Sequence, residues 1–586
     1  MKKIQINNSI LTFSVAFILT VLSSVYLYKE FYGHLYFWFE SSYWECTWSY
    51  FMASLKDVAL SKYISEFLLL GGKWRILSVV VFMLPLVALF LVSYRLQKKI
   101  KLHPVWSIFS ILPSVLLFVL QTHRLFFLFY SIYILIYYAV FFLYLYGKSQ
   151  TLRSTLALIS YPLLYLFLPS GVLMILYLSM CLAEVFYFKK NEKESWKWNA
   201  FVLFSSLSMI LGFFYSMIWN VFVMDEMAIN NFLDLGFLFD VKEQSLMMLL
   251  LFVLPVLMLL LLSKIKVESK RMEIFFLLVQ GSVLCVLLVA IWPFEKYASF
   301  ENYFRIEKAT FEKDWDEVIK LSENQKKEIT KLFPYVVLAH AAKGELPEKM
   351  FEYPLKLENV FLPVYDKKNI TMQSNITFHS LCGLYNMAIR CAEENASIRL
   401  NYDDFFVLKT LAMLNAKKGN VEVTQKFVNK LRLTLVHDDY IKEVEKTLNN
   451  FMPENVEKGE LYYMTDNKLA ELYNYSKKYE LTVEARDMLL CGILQKRDYK
   501  AFASLFFEVF PYKTEKIPTI YEEFLISAQP SGIELPVADF VVSEATQKRF
   551  DHFMQIYTSP NDQSLKRRLM QKHHRNTWWY YSVYGE

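Results

Sequence analysis

The sequence predicts an all-α protein: a polytopic transmembrane helix bundle of about nine spans over residues 1–294, then an α-helical solenoid over 295–586. Three observations lead there. Hydrophobic residues make up 55% of the chain and aromatic residues 17%, with only 15 glycines, a balance unlike that of a soluble globular protein. The apolar excess stops near Trp292, after which Lys- and Glu-rich text takes over. Beyond that point Leu, Phe and Ala recur at three- and four-residue spacing, the period of an amphipathic helix.

A helix crosses the hydrocarbon core with roughly 20 apolar residues, each rising about 1.5 Å. Nine stretches qualify, near 10–28, 76–95, 105–122, 125–146, 154–170, 171–188, 198–222, 245–263 and 273–293. The third is short, with Pro104 before it and Pro113 inside it. The fifth and sixth are parted only by Leu168-Pro169-Ser170-Gly171, which reads as a tight hairpin turn.

Cations near short loops stay in the cytoplasm. With the N-terminus inside, the cytoplasmic groups are Lys2-Lys3, Arg95 to Lys101, Lys148 with Arg153, Lys189 to Lys197, and Lys264 to Arg271. The loop 223–244 between such groups is acidic, with Asp225, Glu226, Asp234, Asp240 and Glu243 against Lys242. An odd number of spans then exports the C-terminal domain. Lys2-Lys3 before an apolar run also suits a secretory signal, but no small-x-small cleavage site precedes Lys29, so the first span is read as retained.

Six cysteines form no Cys-x-x-Cys pair or zinc spacing; Cys382 and Cys391 are expected on one helix, too far apart to bridge. No metal site and no cofactor are expected. The net charge of +6 sits largely in the anchoring cations, which points to anionic lipid headgroups rather than nucleic acid.

From Glu301 onward the text reads as helix pairs. Phe405, Leu408, Leu411 and Ala412 mark one helix, Lys418-Gly419-Asn420 turns the chain, and Val423, Phe427 and Leu431 mark the next. Tyr335 to Phe351 repeats the cadence, with Ala339 and Ala342 before Gly344. This is the grammar of tetratricopeptide-like (TPR-like) repeats without a strict period, and stacked pairs present a concave surface suited to a protein or peptide partner.

Several runs resemble a family of uncharacterised multi-pass proteins of Gram-negative bacteria. They are Trp315 to Ile319, Leu338 to Gly344, Gly383 to Arg390, Leu408 to Ala412, and Asn576 to Tyr581. The resemblance implies the inner membrane with a periplasmic domain, and no particular activity.

The segment 29–75, exported after the first span, is dense in aromatics: Phe37, Trp38, Phe39, Tyr43, Trp44, Trp48, Tyr50 and Phe51. Such density suits the headgroup layer. A long first exported loop, many spans and an exported C-terminal domain look like the plan of the C-type glycosyltransferases, which draw a sugar from a polyprenyl-phosphate carrier. That resemblance implies an acidic base in the loop, for which Glu40 and Glu45 are the candidates, and cations for the carrier phosphate, for which His123 and Arg124 are. Members of the resembled family often carry an acid where this chain reads Thr47-Trp48-Ser49-Tyr50-Phe51. Ser49 cannot replace a carboxylate, so either Glu45 serves or activity is lost. The equally simple reading of each residue is an interfacial anchor.

Three functions stay open: a carrier-lipid-dependent glycosyltransferase or an inactive relative in envelope glycan assembly, a non-catalytic periplasmic scaffold, and a transporter. Transport ranks last, because Glu184 is almost alone as an ionisable residue within the central spans. His437-Asp438-Asp439 and His573-His574 are read as structural, and Trp578-Trp579-Tyr580-Tyr581 as a packing plug.

Overall fold

The computed structural model describes the chain apart from residues 1–7, 57–59, 123–125, 189–244, 261, 263–264, 266, 268, 292–294, 324–328, 354–360, 365–371, 399–403, 452–466, 529, 537–539, 561 and 586. All regular structure among the described residues is helical. Two compact units emerge, Met1–Glu301 with Leu433–Val436, and Asn302–Arg432 with His437–Glu586.

The first unit contains α1 (Asn8–Glu30), α2 (Tyr32–Glu40), α3 (Trp48–Lys56), α4 (Leu60–Leu69), α5 (Arg75–Lys99), α6 (Leu112–Gln121), α7 (Leu128–Tyr144), α8 (Gln150–Tyr165), α9 (Ser170–Ala183), α10 (Ser245–Leu260) and α11 (Lys270–Ile291). Among the described residues three segments are long and apolar enough to cross a membrane: Ser9–Glu30, Arg75–Lys99 and Pro104–Gln121. The third begins as a 3-10 run, Pro104–Ile111, because Pro104 and Pro113 each withhold an N–H from the first turns of their helices. Helices Leu128–Tyr144, Gly171–Ala183 and Met247–Leu260 are apolar but shorter, and the stretch 198–222 lies outside the described residues.

α1 and α5 leave apolar side chains outward, among them Phe17 at 70% exposure, Leu22 at 60% and Ile76 at 71%. Water does not tolerate so continuous an apolar band, so these faces suit lipid. Their inner faces join a core through Phe82, Leu89, Leu117, Tyr137 and Phe141.

Arg153 departs from the expectation of a cytoplasmic anchor. It is 1% exposed and grips Glu184 with Nε and, at 2.9 Å, with Nη2; Nη1 donates to the Gly147 carbonyl at 2.9 Å. The Tyr144 hydroxyl donates to Glu184 Oε1 at 3.0 Å, and the guanidinium lies 3.6 Å from the Phe188 ring centre. Glu184 opens a π-helical turn, Glu184–Phe188, that prolongs α9. The partner of a buried arginine comes from tertiary packing, which loop statistics do not see.

The second unit is built from helical hairpins with one recurring turn. At Lys313, Gly344, Gly383, Gly419 and Arg497 the backbone takes a positive φ between 58° and 76°. Each time the next residue's N–H returns to the carbonyl five back, as in Asn420 to Asn415 at 3.0 Å, and the turn residue's own to the carbonyl three back, as in Gly419 to Ala416 at 3.1 Å. This paired closure is a Schellman motif, which satisfies carbonyls that a helix end leaves open. The hairpin of Phe405–Lys418 and Val421–Arg432 forms where the Lys418-Gly419-Asn420 turn predicts it. Cys382 and Cys391, expected on one helix, stand on either side of Gly383, whose left-handed backbone parts Met372–Leu381 from Tyr385–Ile398.

The C-terminal helix Trp578–Tyr584 closes this unit's core, with Trp578, Trp579, Tyr580 and Tyr581 all at or below 2% exposure. Glu523 anchors it: its carboxylate accepts from the Trp578 N–H at 2.7 Å and from Arg549 at 2.7 Å, and its carbonyl accepts from Trp579 Nε1 at 2.7 Å.

Candidate functional site in the segment between the first two long spans

The segment after α1 folds onto α5 through aromatic packing. Trp38 of α2 stacks on Phe82 of α5 with ring centres 5.1 Å apart, and Phe31 stacks on His34 at 4.4 Å. A Cβ on Gly72 would come within 2.3 Å of Phe39 Cβ, so only glycine allows this approach. The start of α2 is held by Glu301, whose carboxylate accepts from the Gly33 N–H at 2.6 Å, the His34 N–H at 3.0 Å and His34 Nδ1 at 2.8 Å. A carboxylate at a helix N-terminus completes open donors and opposes the helix dipole favourably.

Glu40, at the other end of α2, is 4% exposed. Glu45 follows in the turn before α3 and is half-buried. Its Oε2 accepts from the Tyr43 hydroxyl and its Oε1 from Thr47 Oγ1 at 2.6 Å, so both oxygens are fixed in place. Thr47 also caps α3 by accepting from the Tyr50 N–H at 3.2 Å, and Ser49 Oγ lies 3.1 Å from the same hydroxyl. Ser49 therefore supports Thr47 from a neighbouring position.

A second carboxyl joins this site, one that motif reasoning did not single out. Glu66 of α4 is 6% exposed, with Oε2 2.7 Å from the Tyr50 hydroxyl and Oε1 3.8 Å from Lys62 Nζ. Burial pushes its pKa up from 4.5 to about 7, against the opposing pull of Lys62 and of Tyr50. Burial and the neighbouring Glu66 likewise push the Tyr50 phenol up. The signal available in the sequence was modest: Glu66 lies four residues beyond Lys62 and three before Leu69, on the buried face of α4.

Rings frame the pair. Tyr43 meets Tyr50 edge-on at 5.6 Å, and Tyr63 lies 5.9 Å from Tyr50, 5.8 Å from Trp44 and 5.5 Å from Phe51. The result is a half-exposed, doubly hydrogen-bonded carboxylate beside a buried carboxyl able to hold a proton near neutrality. Such a pair suits proton transfer with a hydroxyl substrate.

His123 and Arg124 lie outside the described residues. Among the described residues no three His, Cys, Asp or Glu side chains stand together as metal ligands.

No curated protein and no solved structure matches the chain. One family model does, from residue 7 to residue 585, and the chain accordingly belongs to a family of unknown function, DUF6057.

Proposed function

We propose that this is a multi-pass inner-membrane protein of nine spans, with the N-terminus cytoplasmic and a TPR-like domain in the periplasm. Its activity in this reading is that of a C-type glycosyltransferase, moving a sugar from a polyprenyl-phosphate carrier to a hydroxyl acceptor during envelope glycan assembly. The observation that carries the reading is Glu45, held by Tyr43 and Thr47 in a segment bounded on both sides by helices long enough to cross a membrane.

Glu45 takes the acceptor hydroxyl's proton as the sugar leaves the carrier phosphate, which departs as an anion and needs no acid. Glu66 and Tyr50 hold the turn that presents it. Glu40, the other candidate base, is buried at the end of α2.

The test is lipid extraction and mass spectrometry of the purified full-length protein, wild type against Glu45→Gln. Support is a polyprenyl-phosphate or its glycosylated form retained by both, with the glycosylated share raised in the variant. Bulk phospholipid alone, identical in both, contradicts it.

A second reading, a non-catalytic scaffold, is favoured by the five Schellman turns, which give the second unit a repeated hairpin architecture suited to binding a protein or peptide. A partner recovered equally with wild type and Glu45→Gln, without any lipid-linked sugar, favours that reading.

A further inference from the structure

The three long apolar segments enclose a groove of 310 Å³ lined by Phe13, Phe17 and Thr20 of α1, Val87 and Leu91 of α5, and Ser114 of α6, among others. Its walls are mostly apolar, with three hydroxyls among them, those of Thr20, Ser23 and Ser114. The Thr20 hydroxyl donates to the Ala16 carbonyl at 2.8 Å and the Ser114 hydroxyl to the Leu86 carbonyl at 2.8 Å, so the one proton of each is already given to the backbone. A volume at the small end of ligand pockets suits one hydrocarbon chain.

One end of the groove leads toward cations. Arg75, the first residue of α5, crosses to α1: Nε donates to the Tyr28 carbonyl at 2.8 Å, and the guanidinium lies 4.2 Å from the Tyr28 ring centre and 4.7 Å from that of Tyr32. Lys73, two residues before Arg75, and Lys29, beside Tyr28 at the end of α1, are both exposed; Lys73 Nζ donates to the Val436 carbonyl at 2.7 Å, and Glu30 follows Lys29. From Arg75 to Met83, the groove residue nearest to it along α5, is eight residues, about 12 Å of helix. A phosphate held at the helix ends would drop its chain along that distance into the groove.

We propose that this groove binds the chain of a polyprenyl phosphate, with Arg75 as the principal phosphate contact and Lys29 and Lys73 adding positive charge. Arg75 gives both Nε and Nη2 to the Tyr28 carbonyl, which fixes the guanidinium plane, and its Nη1 donors are the ones a phosphate would meet. The proposal rests on the carrier-dependent reading above, and it moves the phosphate site from His123 and Arg124 to the start of α5.

The test uses the full-length protein in nanodiscs and a farnesyl phosphate carrying a benzophenone at its tail, a binding measurement that requires no sugar transfer. Crosslinks are expected in residues 13–23 and 83–91. Unlabelled undecaprenyl phosphate is expected to compete about tenfold better than dioleoylphosphatidylglycerol. Val87→Trp and Leu91→Trp, which fill the groove from its exposed side, are each expected to cut labelling about fivefold, and Arg75→Gln to weaken competition by phosphate lipids about tenfold. A folded Val87→Trp protein, verified by an unchanged melting temperature, that labels like wild type overturns the groove. Equal competition by phosphatidylglycerol overturns the isoprenoid assignment. Labelling as expected in a protein that retains no lipid-linked sugar leaves the groove standing and defeats only the transferase. Transfer that persists unchanged in Val87→Trp defeats only the groove.

Discussion

The Tyr50 hydroxyl stands 2.7 Å from Glu66 Oε2 and 3.0 Å from the Tyr43 carbonyl, two acceptors for a single phenolic proton. The phenol faces both acceptors, and its bond to Glu66 favours the ionised carboxylate. Burial outweighs that bond and favours the neutral form, which leaves Glu66 titrating at about 7.

A carboxyl whose folded pKa lies above its unfolded value binds the proton more tightly when folded. Its contribution is fully present below about 4.5 and is lost as pH rises through about 7. Glu66→Gln keeps the neutral shape and is expected to flatten the wild-type loss of stability between those values. Relative to wild type, the variant should gain about 1–3 kcal/mol at pH 8 and nothing at pH 4, read from thermal melts across pH.

The Arg153–Glu184 pair invites a double-mutant cycle. Arg153→Met alone strands a buried carboxylate that also accepts from Tyr144, and is expected to cost about 3–5 kcal/mol. Arg153→Met with Glu184→Leu removes both charges and should recover most of that loss. Melting temperatures of the two singles and the double in one detergent decide this; additive losses would mean that the residues do not act as a pair.

The Schellman turns predict opposite effects at two positions. Gly419→Ala places a Cβ 2.5 Å from the Phe451 ring in a left-handed backbone, and is expected to cost about 2 kcal/mol or more. Lys313 holds the same conformation with a side chain, at φ 59°, so Lys313→Gly should stabilise by about 1 kcal/mol. Thermal unfolding of the full-length variants against wild type checks both signs.

What could be read in advance follows from where the information sits. The long apolar helices α1 and α5 were legible because about 20 apolar residues without a break declare themselves locally. The hairpin around Gly419 was legible because a glycine between two apolar periods marks a helix end. Gly383 carries the same signal, and passing over it put Cys382 and Cys391 on one helix. Glu45 was visible as an acid in an aromatic loop, whereas Glu66 needed Tyr50, sixteen residues away, to give it meaning. The burial of Arg153 was hidden for a similar reason: its partner is 31 residues distant, and a cation beside a loop looks like an exposed anchor until packing supplies a carboxylate.

In the proposed topology Glu45 lies on the outer face of the membrane, and its neighbour Cys46, an exposed free cysteine, is a built-in reporter. A membrane-impermeant maleimide applied to cells with a permeabilised outer membrane and an intact inner membrane should label the peptide containing Cys46, with the label abolished by Cys46→Ser. Labelling of Cys46 only after the inner membrane is broken would put the segment, and Glu45 with it, on the cytoplasmic side and contradict the account.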